Sequence, residues 1–147
     1  MSRIATVAAA QMGPIEKDEP RQSTVARMIS MMRRAKERGA DLIVYPELAL
    51  TTFFPRYWME NEADVDAFFE KEMPSPATQP LFDEATKLGV GFNLGYAELT
   101  EENGRIRHFN TAIIVDREGK IAGKYRKVHL PGPVSYTHLT LPTSLAG

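Results

Sequence analysis

The chain contains no cysteine, which removes disulfides, thiolate metal sites and thiol nucleophiles from its 147 residues. Neither sign of charge dominates: 18 Lys and Arg stand against 19 Asp and Glu. No general field therefore draws in phosphate backbones or anionic lipid, and nucleic acid is not an expected partner. No run approaches the roughly 18 apolar residues needed to span a bilayer. The opening from Met1 to Ala10 has too short an apolar run for a secretory signal and no small-residue cleavage pattern after it. Membrane insertion is excluded on this reading, and a cytoplasmic protein is expected. A glycine-rich phosphate loop is missing too, because Gln11-Met12-Gly13-Pro14 offers one glycine where a dinucleotide fold wants three. The histidines, His108, His129 and His138, include no pair at i and i+4 and have no companion cysteine, so neither a metal nor a cofactor is expected.

What is present, 43% hydrophobic and 25% charged residues, is the make-up of one soluble globular domain. Ile4 to Ala10 is an almost wholly apolar run without a 3.6-residue stripe, which predicts a strand buried on both faces. From Asp18, read as a helix cap with Glu19 and Pro20 in the first turn, Val25, Met28, Ile29, Met32 and Ala35 recur at helical spacing until Gly39. Asp41 to Tyr45 is a second buried-strand run, closed by Pro46. Strand, helix, strand in that order argues for an α/β architecture with parallel neighbours. The stretch from Asn61 to Glu72 predicts a shorter helix on Val65, Phe68 and Phe69, and Ala77 to Leu88 another, ended by Gly89. Val90 to Leu99 and Arg107 to Val115 flank an Asn103-Gly104 turn and should pair as a hairpin. Asp116 to Gly119 is a further turn into a strand over Lys120 to Tyr125, so the second half adds an antiparallel series to the sheet.

Position singles out a few side chains. Glu47 follows a buried strand and one proline, so its carboxylate should emerge at the carboxyl end of that strand, where α/β sheets place their ligand crevices. Flanked by Pro46 and by Leu48, Ala49 and Leu50, it should be partly desolvated, with a raised pKa suited to a general base; a glutamate capping a helix or meeting a surface lysine is the alternative. Lys127 sits past a strand in a cationic run, Lys124-Tyr125-Arg126-Lys127. It is either part of a solvated strand end or turned by alternation to the side opposite Arg126, where its ammonium could stabilise an anion. His129, beside a proline and a glycine, reads as a hydrogen-bonded supporting residue. Phe53, Phe54, Tyr57 and Trp58 cluster just after Glu47 and could fill a core or line a pocket. The last fourteen residues, Val134 to Gly147, hold no Asp, Glu, Lys or Arg, a composition break at about Pro133.

Four stretches in order, Ala9-Ala10-Gln11, Tyr45-Pro46-Glu47-Leu48, Phe109-Asn110-Thr111-Ala112 and Tyr125-Arg126-Lys127-Val128-His129-Leu130, resemble the nitrilase, or carbon-nitrogen hydrolase, superfamily. Glu47 to Arg56 and Gly91 to Leu99 are similar to N-carbamoyl-D-amino-acid hydrolases in particular. The resemblance covers about residues 3 to 132. It implies an α/β fold that is the N-terminal part of an αββα sandwich, with a mixed sheet flanked by helices, and an intact parent that assembles as a homo-oligomer. It also implies covalent catalysis by a Glu-Lys-Cys triad on a small N-carbamoyl amino acid or amide. Glu47 would be the general base, Lys127 the stabiliser of the tetrahedral oxyanion and His129 a supporting hydrogen-bonding residue, with no cofactor. The triad's cysteine would lie beyond Lys127, outside this chain, so the chain by itself is expected to be inactive and prone to aggregate. From Pro133 onward the residues depart from the family and resemble translated adapter sequence. The reading divides the chain into 1–132, the N-terminal part of the hydrolase domain, and 133–147, a non-native or disordered tail.

Overall fold

The computed structural model describes residues 4–130; the expected boundary at Pro133, the tail 133–147 and His138 lie outside the described residues. A single mixed sheet organises them, with strand order β1-β2-β3-β4-β5: β1 Val7–Ala9, β2 Leu42–Val44, β3 Gly91–Glu102, β4 Arg105–Val115 and β5 Ile121–Arg126. β1 pairs with β2, and β2 with β3, in parallel. β3, β4 and β5 then run antiparallel. The two halves follow from connection length. Parallel neighbours need a crossover, and α1 Arg21–Glu37 and α3 Gln79–Leu88 provide the two. The β3–β4 hairpin closes through Asn103 and Gly104, whose φ angles of 54° and 72° suit the twist of a two-residue turn.

Alternation sorts the strand residues onto two faces. On one, Ile43, Tyr45, Phe92, Leu94, Ile113 and Val115 form a core with Val25, Met28, Met32 and Ala35 of α1 and Leu81, Phe82 and Ala85 of α3. Phe92 is the hub of the aromatic packing, edge-on to both Tyr45 and Phe82. The buried Tyr45 hydroxyl donates to the Met28 carbonyl at 2.7 Å, tying the end of β2 to the middle of α1. Tyr45→Phe, which removes this bond while the Met28 carbonyl keeps its helical partner, is expected to cost about 1 kcal/mol in urea denaturation with an unchanged slope. On the opposite face, Ala97 and Leu99 pack with Leu48, Phe54, Val65, Phe68, Phe69 and Leu130, so the long β2–α3 connection covers only one end of the sheet.

Three expectations need correction. β1 is not buried on both faces: Ala8 packs toward the α1 core, but Val7 is 56% exposed. α1 covers one side only, and no described layer covers the other. Asp18 is not the cap of α1; Pro20 holds that position with no side-chain cap. Glu19 serves the helix start instead, accepting from Ser23 Oγ at 3.1 Å and pairing with Arg27 at 3.0 Å. The helix expected over Asn61 to Glu72 shrinks to α2, Glu62–Asp66. The backbone of Glu70 leaves helical geometry to bridge β3, its N–H donating to the Ala97 carbonyl and its carbonyl accepting from the Leu99 N–H. Val65, Phe68 and Phe69 are nonetheless buried, so their spacing reported burial without reporting a continuous helix. His108 anchors this region from β4, its Nε2 lying 2.5 Å from Asp66 Oδ1. The described residues thus hold one sheet and one helical layer, in the mixed α/β arrangement that the sequence predicts.

Candidate active site

β2 ends at Val44, and Tyr45 and Pro46 carry the chain off the sheet, so Glu47 stands just beyond the carboxyl end of a parallel strand. The turn that holds it is tight. Leu48 adopts a left-handed φ of 49°, the Ala49 N–H donates to the Gly95 carbonyl at 2.8 Å, and the loop lies directly on the Gly95 backbone. A side chain would crowd the loop there: a Cβ on Gly95 would lie 3.0 Å from Glu47 Cα and 3.1 Å from both Leu48 N and Pro46 O. Glycine at 95 lets the loop rest on β3 and brings Glu47 over the sheet face opposite the helices.

Lys127 arrives from the far side. Its N–H donates to the Asn110 carbonyl at 2.8 Å, continuing the β4–β5 ladder by one residue. Alternation then divides the cations: Lys124 and Arg126 lie on the helix-side face, and Lys127 on the face of Glu47. Lys127 Nζ donates to Glu47 Oε1 at 2.6 Å, and Asn110 Nδ2 donates to the same oxygen at 2.6 Å. Two residues 80 apart in sequence are thereby joined. His129 borders the same cavity of about 370 Å³, whose wall also includes Asn93, Thr111 and Tyr125.

The electrostatics differ from expectation in one respect. Burial does push the Glu47 carboxyl up, as its apolar flanks suggest, but the hydrogen bonds from Lys127 and Asn110 and the charge of Lys127 outweigh it and hold its pKa below the ordinary carboxylate value. With its side chain 47% exposed, desolvation is too incomplete to win. Glu47 is therefore ionised at neutral pH, ready to accept a proton rather than to give one.

Behind the sheet lies a second polar cluster. Glu98, 6% exposed, accepts from Arg126 Nε at 2.9 Å and Nη2 at 3.0 Å, from Thr111 Oγ1 at 2.7 Å, and from Lys124 Nζ. Burial raises its pKa, yet the bonds from Arg126, Lys124 and Thr111 bring it down to about 2. Arg126 also reaches Glu102 at 2.5 Å and lies over the Phe109 ring at 3.9 Å. Sequence reasoning missed Glu98, Asn110 and Gly95 as individual residues, though each lay in a stretch carrying the resemblance. A polar residue inside an otherwise apolar strand, as at 98 and 110, is the available signal, since it must find partners once buried. The aromatic cluster divides three ways: Phe54 is core with Tyr57 packed partly buried against it, Trp58 is 80% exposed, and Phe53 joins Met12, Pro14 and Arg56 around a second cavity of about 240 Å³ that Glu47 also borders.

A glutamate at a strand's carboxyl end, hydrogen-bonded by a lysine from the last strand and an asparagine from its neighbour, sits within a sequence of which residues 6–145 match the carbon-nitrogen hydrolase family. The chain belongs to that family. Within the family, it is 30% identical over 138 residues to the N-carbamoylputrescine amidase of Solanum lycopersicum, covering 92% of this chain and 42% of the relative. Among solved structures, Saccharomyces cerevisiae Nit3, of branch 10 of the nitrilase superfamily, superposes with a TM-score of 0.73 at 22% identity, over 94% of this chain and 48% of Nit3. A variant amidase from Nesterenkonia sp. AN1, bearing the result of Michael addition of acrylamide at its active-site cysteine, gives a TM-score of 0.69 at 21% identity, over 95% and 50%. These structural likenesses establish the fold. The chain spans about two-fifths of the curated relative's length and about half of each solved structure.

Proposed function

We propose that these residues supply the general base and the oxyanion-stabilising cation of a covalent carbon-nitrogen hydrolase whose nucleophilic cysteine lies outside the 147 residues. The observation that carries the reading is the Glu47–Lys127 pair, at 2.6 Å, in the wall of a cavity of about 370 Å³. Such a volume suits a small amide or carbamoyl compound. The ionised Glu47 takes the thiol proton, and the sulfur adds to the carbonyl carbon. Lys127 faces the negative charge that builds on the carbonyl oxygen. Collapse of the adduct breaks the carbon-nitrogen bond as Glu47 passes its proton to the departing nitrogen, which releases the amine or ammonia and leaves Glu47 ionised again. Water activated by Glu47 then cleaves the thioester. His129, on the cavity wall, supports the site.

Within this chemistry we assign the whole protein to N-carbamoyl-D-amino acids, on the similarity of Glu47 to Arg56 and Gly91 to Leu99 to hydrolases of that kind. The carbamoyl carbon is attacked, ammonia leaves, and hydrolysis of the remaining carbamoyl-enzyme gives a carbamate that breaks down to the D-amino acid and carbon dioxide, with one water consumed overall. The test is hydrolysis by the full-length protein of N-carbamoyl-D-amino acids, their L forms and simple amides. Preference for the D form is expected, and equal rates on all three would sink the assignment. Lys127→Met is expected to lower kcat/KM by about 10²–10³-fold, the scale of a lost oxyanion donor, and an unchanged rate would remove Lys127 from the mechanism.

A further inference from the structure

Both hydrogen bonds to the Glu47 carboxylate land on one atom. Asn110 Nδ2 and Lys127 Nζ each reach Oε1 at 2.6 Å, and among the described residues Oε2 receives neither. Among the described residues, Asn110 is also the one bonded to both members of the pair, because its carbonyl accepts the Lys127 N–H at 2.8 Å. It is itself held hard. It lies 8% exposed in the middle of β4, between Phe109 and Thr111, which are 1% and 0% exposed. An amide in such a place has little freedom to follow a moving partner.

The two donors are not equivalent. Lys127 must turn toward any anion that it stabilises, sharing among several acceptors the ammonium that now holds Glu47. An asparagine amide has no charge to offer elsewhere and no proton to lose at ordinary pH. It therefore keeps its grip on Oε1 whatever Lys127 does. We propose, building on the role assigned to Glu47 above, that Asn110 is the positioning residue of the site: it fixes Oε1 so that Oε2 is presented as the proton-accepting atom while Lys127 is released to the oxyanion. The lowered pKa of Glu47, to which the Asn110 bond contributes after burial and Lys127, accords with this.

The experiment is the pH dependence of kcat/KM for the full-length protein and its Asn110→Ala and Asn110→Ser variants, with the Glu47 side-chain carboxyl followed in parallel by carbon-13 NMR. Loss of one donor should move the acid limb, and the Glu47 midpoint, up by roughly 1–2 pH units, the scale of one hydrogen bond to a charged group. kcat should fall by about 10-fold or more with KM little changed, and serine, which keeps a donor, should recover part of both effects. An acid limb and midpoint that stay where they are, with activity merely reduced, would overturn the proposal in favour of a packing role. Should alanine not fold, the serine variant decides by the same two midpoints. The NMR midpoint needs no turnover, and Glu47→Gln tests the base assignment separately. A rate that survives Glu47→Gln therefore condemns the general-base reading, whereas an unmoved Glu47 midpoint condemns the role of Asn110.

Discussion

Gly95→Ala is expected to reduce kcat/KM of the full-length protein by about 10-fold, because the backbone around Glu47 must give by a few tenths of an ångström and a full 1 Å misplacement costs on the order of 100-fold. The added methyl would sit 3.0 Å from Glu47 Cα and 3.1 Å from Leu48 N and Pro46 O. All three are backbone atoms, so no side chain can swing away. The loop must lift instead, and it is already constrained by the left-handed Leu48 and by the Ala49–Gly95 hydrogen bond. Lifting it draws Glu47 away from Lys127, just past the end of β5, and from Asn110 on β4. A stability cost of about 1–3 kcal/mol should accompany the change, as for other overpacked sites. Gly123→Ala is the control: its Cβ would meet only Ile114 Cγ2, at 3.1 Å, a methyl on a half-exposed side chain that can rotate. A kinetic assay in which both variants lose activity equally would refute the account of Gly95 as the seat of the Glu47 loop.

The second large effect belongs to Glu98, which makes no contact with the proposed chemistry. Glu98→Leu is expected to destabilise the chain by about 3 kcal/mol at pH 7. It leaves Arg126 with Glu102, frees Lys124 and strands the buried Thr111 hydroxyl. The figure stays at the low end for a broken buried pair because the Lys124 and Arg126 side chains remain 42% and 26% exposed. The pH dependence has a definite sign. Folding depresses the Glu98 carboxyl from about 4.5 to about 2, so its contribution is complete above the unfolded value and is lost as pH falls through the folded one. Urea denaturation of wild type and variant should therefore differ by the full amount at pH 7, with the gap closing progressively from about pH 5 toward pH 2. A gap that is the same at both ends would assign the loss to packing rather than to charge.

The same cluster bears on function through geometry. Arg126 precedes Lys127, and a strand residue clamped on one face fixes the direction in which its neighbour leaves on the other. Glu98, Glu102 and the Phe109 ring hold Arg126 on three sides. The neighbouring Lys127 is thereby delivered to Glu47 from a rigid strand end rather than from a mobile loop.

Much of the architecture was legible in the sequence because it rests on local signals. The parallel half follows from apolar runs separated by an amphipathic helix, and the antiparallel half from Asn103-Gly104 and the Asp116 to Gly119 turn, whose backbone demands are met by the residues themselves. The placement of Glu47 at a strand's carboxyl end also followed from one proline after one apolar run. Its ionisation state did not, since local flanks report desolvation while the deciding donors, Asn110 and Lys127, lie 63 and 80 residues away. The length of α2 escaped for a similar reason: helical spacing of Val65, Phe68 and Phe69 satisfies burial, but a backbone bridge from Glu70 to β3 ends the helix. Nor could the run at β1 disclose that only one of its faces would be covered. Turn chemistry and periodicity act over a few residues, and these the sequence by itself determined. Which face is covered, which oxygen is bonded and which charge prevails depend on groups brought together only by the folded sheet, and these the tertiary structure alone decided.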